Sequence, residues 1–109
     1  MILPNIERAV IPEEKLRDYL LAPTHLVGRH KAAFFRALGC TQEDWKALES
    51  DLRQFLREEA QENGNTKYGT NNEIQGQING PTGRSTLIIT AWIVLSGEDF
   101  PRFITAYPG

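Results

Sequence analysis

Residues 24–35, THLVGRHKAAFF, hold both histidines of the chain, His25 and His30, together with Arg29 and Lys31. Histidine is the side chain suited to exchanging protons near neutral pH. Two of them beside a lysine supply the parts of a metal-free phosphodiester cleavage. One removes the proton of an RNA 2′-hydroxyl, a second acid protonates the leaving oxygen, and Lys31 or Arg29 stabilises the extra negative charge of the transition state. The position of the group fits that reading. Cations in the first turn of a helix oppose the helix dipole by about a few tenths of a kcal/mol each, whereas free backbone N–H groups with several cations suit a bound anion. The plainer alternative is a solvated, basic helix edge.

A second candidate segment is WIVLSGEDFPRFITAYP, where Arg102, Thr105 and Tyr107 would complete a site or Tyr107 would simply plug the core. The single cysteine, Cys40, reads as a small semi-buried side chain. One cysteine and two histidines five residues apart fall short of common zinc spacings. There is no Gly-rich phosphate loop and no G-x-S-x-G elbow. No metal and no cofactor are therefore expected.

The chain has 109 residues, enough for a single domain, 1–109, with one core. Its net charge is -2, and general nucleic-acid binders are more often basic. An RNA-directed role would have to rest on a local patch. The start, MILPNIERAVIP, lacks the apolar run of a signal peptide, and no stretch is long and apolar enough to span a membrane. A cytoplasmic protein with no membrane contact is expected.

The elements that must position these residues follow from periodicity. Residues 1–11 read as extended, with Ile2, Leu3, Ile6, Val10 and Ile11 as anchors. Pro12, Glu13 and Glu14 suit a helix start, and Leu16, Tyr19 and Leu20 recur at helical spacing before Pro23. A second helix is expected from about Gly28 to Leu38, burying Phe34, Phe35 and Leu38, with Gly39 as C-cap. A third starts at an N-cap Thr41, carries Trp45, Leu48, Leu52 and Phe55 on one stripe, and stops at Asn63-Gly64. After Gly64 the period changes to that of strands: EIQGQI, RSTLIITAWIVL and RFITAY, separated by GPTG and SGED. The fold class is α+β, with three N-terminal helices packed on one face of a three- to four-stranded antiparallel meander.

If Pro81-Thr82 and Gly97-Glu98 are two-residue loops, Ile78 faces Ser85, Trp92 faces Phe103 and Thr90 faces Thr105. One sheet face then carries Ile74, Ile78, Leu87, Ile89, Ala91, Ile93, Ile104 and Ala106 and packs under the helices. The other carries Gln75, Gln77, Arg84, Thr86, Ile88, Thr90, Trp92, Phe103, Thr105 and Tyr107. Aromatics on an open sheet stack bases, while hydroxyls and arginine hold phosphates. Arg84, Thr90 and Trp92, with Arg29, are the substrate-binding residues this register implies. The same face would be ordinary packing if residues 1–11 or a partner chain covered it.

The pieces KLRDYLLAPTH, GRHKAAFFRALG and AWIVLSGEDFPRFITAYP resemble a bacterial domain-of-unknown-function family over nearly the whole chain. A more distant similarity, in the order of helices and then meander, is to the barnase–EndoU–colicin–RelE group of metal-independent toxin ribonucleases. That resemblance implies a helix-borne His or Lys and sheet-borne Arg, Thr or Tyr as the site. By position these are His25, His30 and Lys31 with Arg102, Thr105 and Tyr107. The function it implies is a ribonuclease-like domain of a toxin–antitoxin or toxin–immunity system, with RNA and a cognate antitoxin or immunity protein as partners. The alternative is a non-catalytic, immunity-like module that binds a partner through the open sheet face.

Overall fold

A computed structural model describes residues 1–22, 29–81 and 83–109, with the side chains of Arg29 and His30 excepted. His25 and Gly28 therefore lie outside the described residues. Among the described residues, a 3-10 turn (Ile6–Arg8), where residues 1–11 were expected to be extended, and three longer helical elements precede a four-stranded antiparallel sheet, so the α+β class and the order of helices and then strands agree with the sequence reading. Helix α1 (Glu13–Lys15) runs directly into a π-helical turn (Leu16–Leu20). Helix α2 spans Arg29–Ala37 and α3 spans Trp45–Phe55. The strands are β1 (Gln61–Thr66), β2 (Gly69–Asn79), β3 (Ser85–Leu95) and β4 (Arg102–Pro108), paired in that order.

The apolar stripes account for the layers. Leu16 and Leu20 of the π turn, Phe35 of α2, and Leu48, Leu52 and Phe55 of α3 share one core with Ile74, Ile78, Ile88, Trp92, Phe103 and Ala106 of the sheet. Pro12 caps α1 from outside rather than opening it, and α3 is preceded by Asp44 rather than capped by the Thr41 side chain. Helix α3 ends at Phe55, and Asn63-Gly64 sits instead in β1, at an irregularity in its pairing with β2. β1 was not legible as a strand because QENGNT is polar throughout and fully exposed. Gly76 lets α3 approach: a Cβ there would lie 3.0 Å from the Phe55 ring.

The sheet faces are the reverse of those expected for β3. Ile78 pairs with Thr86, Gly76 with Ile88 and Ile74 with Thr90, one residue away from the two-residue-loop register. Gly80 N donates to Arg84 O at 2.7 Å, Gly83 N donates to Gly80 O at 3.0 Å, and Gly83 has φ 85°. This is the geometry of a three-residue hairpin loop ending in a left-handed glycine. One extra loop residue slips the register by one and turns every β3 side chain over. Ile88, Thr90 and Trp92 are consequently buried against the helices, whereas Leu87, Ile89, Ala91 and Ile93 line the face without helices, Leu87 being 45% exposed.

A second irregularity acts on β4. Trp92 pairs with Phe103 as expected, with rings edge-to-face at 5.3 Å, and Ile93 pairs with Arg102. The register then shifts, so Ala91 pairs with Thr105 and Thr90 with Ala106 rather than with Thr105. The bulge at Ile104 lets Phe103 and Ala106, three residues apart, both enter the core. It also returns Thr105 and Tyr107 to the open face. The Gly97 turn is longer than two residues: Glu98 N bonds Leu95 O, and strand pairing resumes only at Arg102.

Residues 1–11 do not lie over the open face. Val10 forms a short parallel bridge beside Arg102 at the outer edge of β4, and Arg53 of α3 donates to Ala9 O at 2.9 Å. Ile88→Ala should cost about 2–5 kcal/mol, because it empties a fully enclosed site. Leu87→Ala should stay within about 0.5 kcal/mol. Urea unfolding of the two variants measures the difference, and equal costs would contradict the register.

Candidate functional site

Lys31 is where helix and sheet meet. Its neighbour four residues on, Phe35, is buried, so the Lys31 stem leans on the core side of α2. Its ammonium donates to Thr105 Oγ1 at 2.9 Å and to Tyr19 Oη at 3.4 Å, and lies 5.4 Å from the centre of the Tyr19 ring. Tyr19 is presented by the π-helical turn, in which Leu16 and Leu20 are both buried. Turns of this kind insert one residue and re-aim the side chains around them.

Thr105 and Tyr107 alternate along β4, so both leave the strand on the same side. Tyr107 Oη donates to Glu73 Oε2 across β3; Tyr107 pairs with Ile89, and Glu73 with Ala91. Donating its proton to a carboxylate holds the Tyr107 hydroxyl above its ordinary pKa of 10.0, with partial burial and the Glu73 charge acting in the same direction. Beside Glu73 lies a concavity of about 410 Å3, lined also by Glu59, Gln61, Gln75 and Ile89. Lys31, Thr105, Tyr107, Glu73 and Tyr19 thus supply a cation, three hydroxyls and a carboxylate around the β4 edge and the adjoining open face.

The other expected site residues fall elsewhere. Thr90 and Trp92 are not on the open face: both are fully buried, and Trp92 Nε1 donates to Thr90 Oγ1 at 2.8 Å. The one-residue slip of β3 places them there, and it removes them from any contact with a substrate on the open face. Arg102 sits at the opposite end of β4 from Tyr107, four β3 pairs away, roughly 13 Å at strand spacing. Its guanidinium forks onto Glu98 at 2.8 and 2.9 Å and lies 5.2 Å over the Phe100 ring. The same bonds hold the Glu98 carboxyl below its ordinary range. Arg84 is exposed at the β2–β3 hairpin, apart from Lys31. His25, and the side chains of Arg29 and His30, lie outside what the structure describes. Cys40 is buried, and desolvation pushes its thiol up.

Sequence reasoning missed Glu73 and Tyr19. Glu73 looked like one polar residue of an alternating strand, and only the β2–β3–β4 register brings it within reach of Tyr107. Tyr19 looked like part of a helix stripe, and the π turn is not visible in the residue pattern. Among the described residues, no group of three or more His, Cys, Asp or Glu side chains is placed to hold a metal ion, and no helix is long and apolar enough to cross a membrane.

The described fold and edge site define an α+β domain with helices on one sheet face and a polar cluster at the β4 edge. The chain belongs to the family described as Domain of unknown function (DUF6883), which it matches over residues 2–109. Its fold is similar to that of a chain in a contact-dependent growth inhibition toxin–immunity protein complex from Klebsiella pneumoniae 342. That similarity has a TM-score of 0.75 at 19% identity, over 94% of this chain and 95% of that one. A comparison with curated protein sequences gives no significant match.

The Tyr107–Glu73 bond has a spectroscopic consequence. A tyrosine whose folded pKa lies above its unfolded value contributes stability that is complete below about pH 10 and is lost as pH rises through the folded pKa. Ultraviolet titration should show one tyrosine ionising late in the wild type, and Glu73→Gln should bring that transition back toward 10. An unchanged titration curve in the variant would show that the bond is not formed in solution.

Proposed function

We propose that this chain is a metal-independent, ribonuclease-like domain of a toxin–antitoxin or toxin–immunity system. The observation that carries the reading is the approach of Lys31 from α2 to Thr105, on the same strand and side as the Tyr107–Glu73 pair. The fold shared with a chain of a growth-inhibition toxin–immunity complex supports the setting.

In this reading a phosphodiester of RNA lies against Lys31 and Thr105, whose charge and hydroxyl hold its non-bridging oxygens. Glu73 accepts the proton of the 2′-hydroxyl, whose oxygen attacks the adjacent phosphorus. The bond from phosphorus to the 5′-oxygen breaks, and that oxygen takes a proton from Tyr107 or from His25 or His30. The products are a 2′,3′-cyclic phosphate and a free 5′-hydroxyl. A carboxylate suits the acceptor role, and a histidine, which exchanges protons near neutral pH, suits the donor role better than the Tyr107 hydroxyl, whose bond to Glu73 makes it a weaker acid. Lys31 stabilises charge that grows in the transition state. Arg29 would add to the local positive field.

A second reading is a non-catalytic, immunity-like module, favoured by the aliphatic column Leu87, Ile89, Ala91 and Ile93 on the face without helices. The experiment separates the two. Purified chain, free of copurifying inhibitor and in the presence of EDTA, should cleave total RNA. Lys31→Ala, Glu73→Gln and His30→Ala should each lower the rate by about 100-fold or more, with Tm shifts of no more than about 4 °C. A wild-type chain that leaves RNA intact would favour the interaction module.

A further inference from the structure

Resting on the ribonuclease reading, we propose that the concavity between the end of α2 and the start of β3 seats a base of single-stranded RNA. The Phe34 ring is the stacking platform, and the Arg84 guanidinium takes a flanking phosphate. The hollow is shallow and open to solvent, of about 460 Å3, and is lined by Phe34, Ala37, Leu38, Arg84, Ser85 and Thr86. It has the composition such a subsite needs: an aromatic face, a cation and hydroxyls.

Two features hold it in shape. Phe34 is half-buried and packs edge-to-face on the fully buried Phe35, with ring centres 5.1 Å apart. Its orientation is therefore set before any ligand arrives. The β2–β3 hairpin is pressed against the end of α2 so closely that a Cβ on Gly80 would lie 1.9 Å from Leu38 O. That contact, with the three-residue loop, fixes where Arg84 leaves the hairpin. Arg84 is exposed and makes no ion pair among the described residues.

The hollow also stands in register with the proposed reacting centre. Lys31 and Phe34 are three residues apart on α2, neighbours on one side of the helix about 4.5 Å apart along its axis. A strand of RNA that follows α2 presents one phosphate to Lys31 and a neighbouring base to Phe34. Stacking demands an unpaired base, so the ligand is single-stranded rather than duplex. Of the sheet-face aromatics expected from the sequence, Trp92 and Phe103 are buried and Tyr107 is tied to Glu73, and Phe34 takes over the stacking role from the helix layer.

Fluorescence anisotropy of a labelled single-stranded RNA oligonucleotide tests this with the Glu73→Gln chain, whose slowed cleavage keeps the RNA intact over the measurement, as gel electrophoresis of the recovered RNA checks. Phe34→Leu, which keeps bulk but removes the ring face, should weaken binding about 10-fold, while Phe34→Tyr restores it. Arg84→Ala should weaken binding and lower the slope of log affinity against log salt by about one. Duplex RNA should bind more weakly and be indifferent to Phe34→Leu. Circular dichroism confirms folding, and for a Phe34→Leu chain that fails to fold, Arg84→Ala and the single-strand preference carry the test. If RNA binds but both substitutions leave affinity unchanged, the subsite is overturned while the ribonuclease reading stands. If the wild-type chain neither binds nor cleaves RNA, the ribonuclease reading fails and the subsite with it.

Discussion

The hydroxyl of Thr90 lies at the centre of the sheet, accepting a bond from Trp92 Nε1 at 2.8 Å and donating to Ile74 O at 3.2 Å. Much of the molecule depends on that position. A buried indole N–H and a buried hydroxyl are costly unless paired, and here they pair with each other and with the neighbouring strand. The arrangement exists only in the register that puts Thr90 opposite Ile74, and that register is set by the three-residue loop closed at Gly83. With Trp92 and Thr90 inside, the helices have a broad aromatic floor to cover. With β3 turned this way, its alternate aliphatic residues are left on the other face.

The bulge at Ile104 is the counterpart of that loop. The slip of β3 alone would have carried β4 with it, burying the Thr105–Tyr107 side or leaving Phe103 outside. The extra residue in β4 instead divides the strand. Its first part follows Trp92 into the core through Phe103, and its second part regains the opposite parity. Thr105 and Tyr107 thereby stay available to Lys31 and Glu73. Two departures from the simplest hairpin geometry, one in a loop and one in a strand, cancel at the residues that form the candidate site.

This explains which parts were legible in the sequence. The helix stripe Leu48, Leu52, Phe55 declares itself by period alone, and the structure buries all three. Lys31 at the rim of the core follows from Phe35 one turn further on. The pair Trp92–Phe103 also holds, because it lies on the turn side of the bulge. Sheet faces are different, since β3 is apolar on both sides and its composition cannot say which face is inside. Only loop length decides, and GPTG is compatible with a loop of two residues or three. The placing of Thr105 and Tyr107 on the open face therefore agrees with the expectation for a reason the expectation did not contain.

Electrostatics supply the last constraint on the site. The chain carries a net charge of -2, yet α2, RHKAAFFRA, contains no carboxylate and brings Arg29, Lys31 and Arg36 into nine residues. At physiological salt a charge is felt over about 8 Å. A phosphate at the β4 edge is met first by Lys31, whose ammonium lies 2.9 Å from Thr105 Oγ1. Glu73 is the acid of the proposed centre, and its bond from Tyr107 occupies one of its oxygens. An acidic chain can thus place a cation beside hydroxyls at one strand edge, and the sign of the net charge says little about what Lys31 attracts.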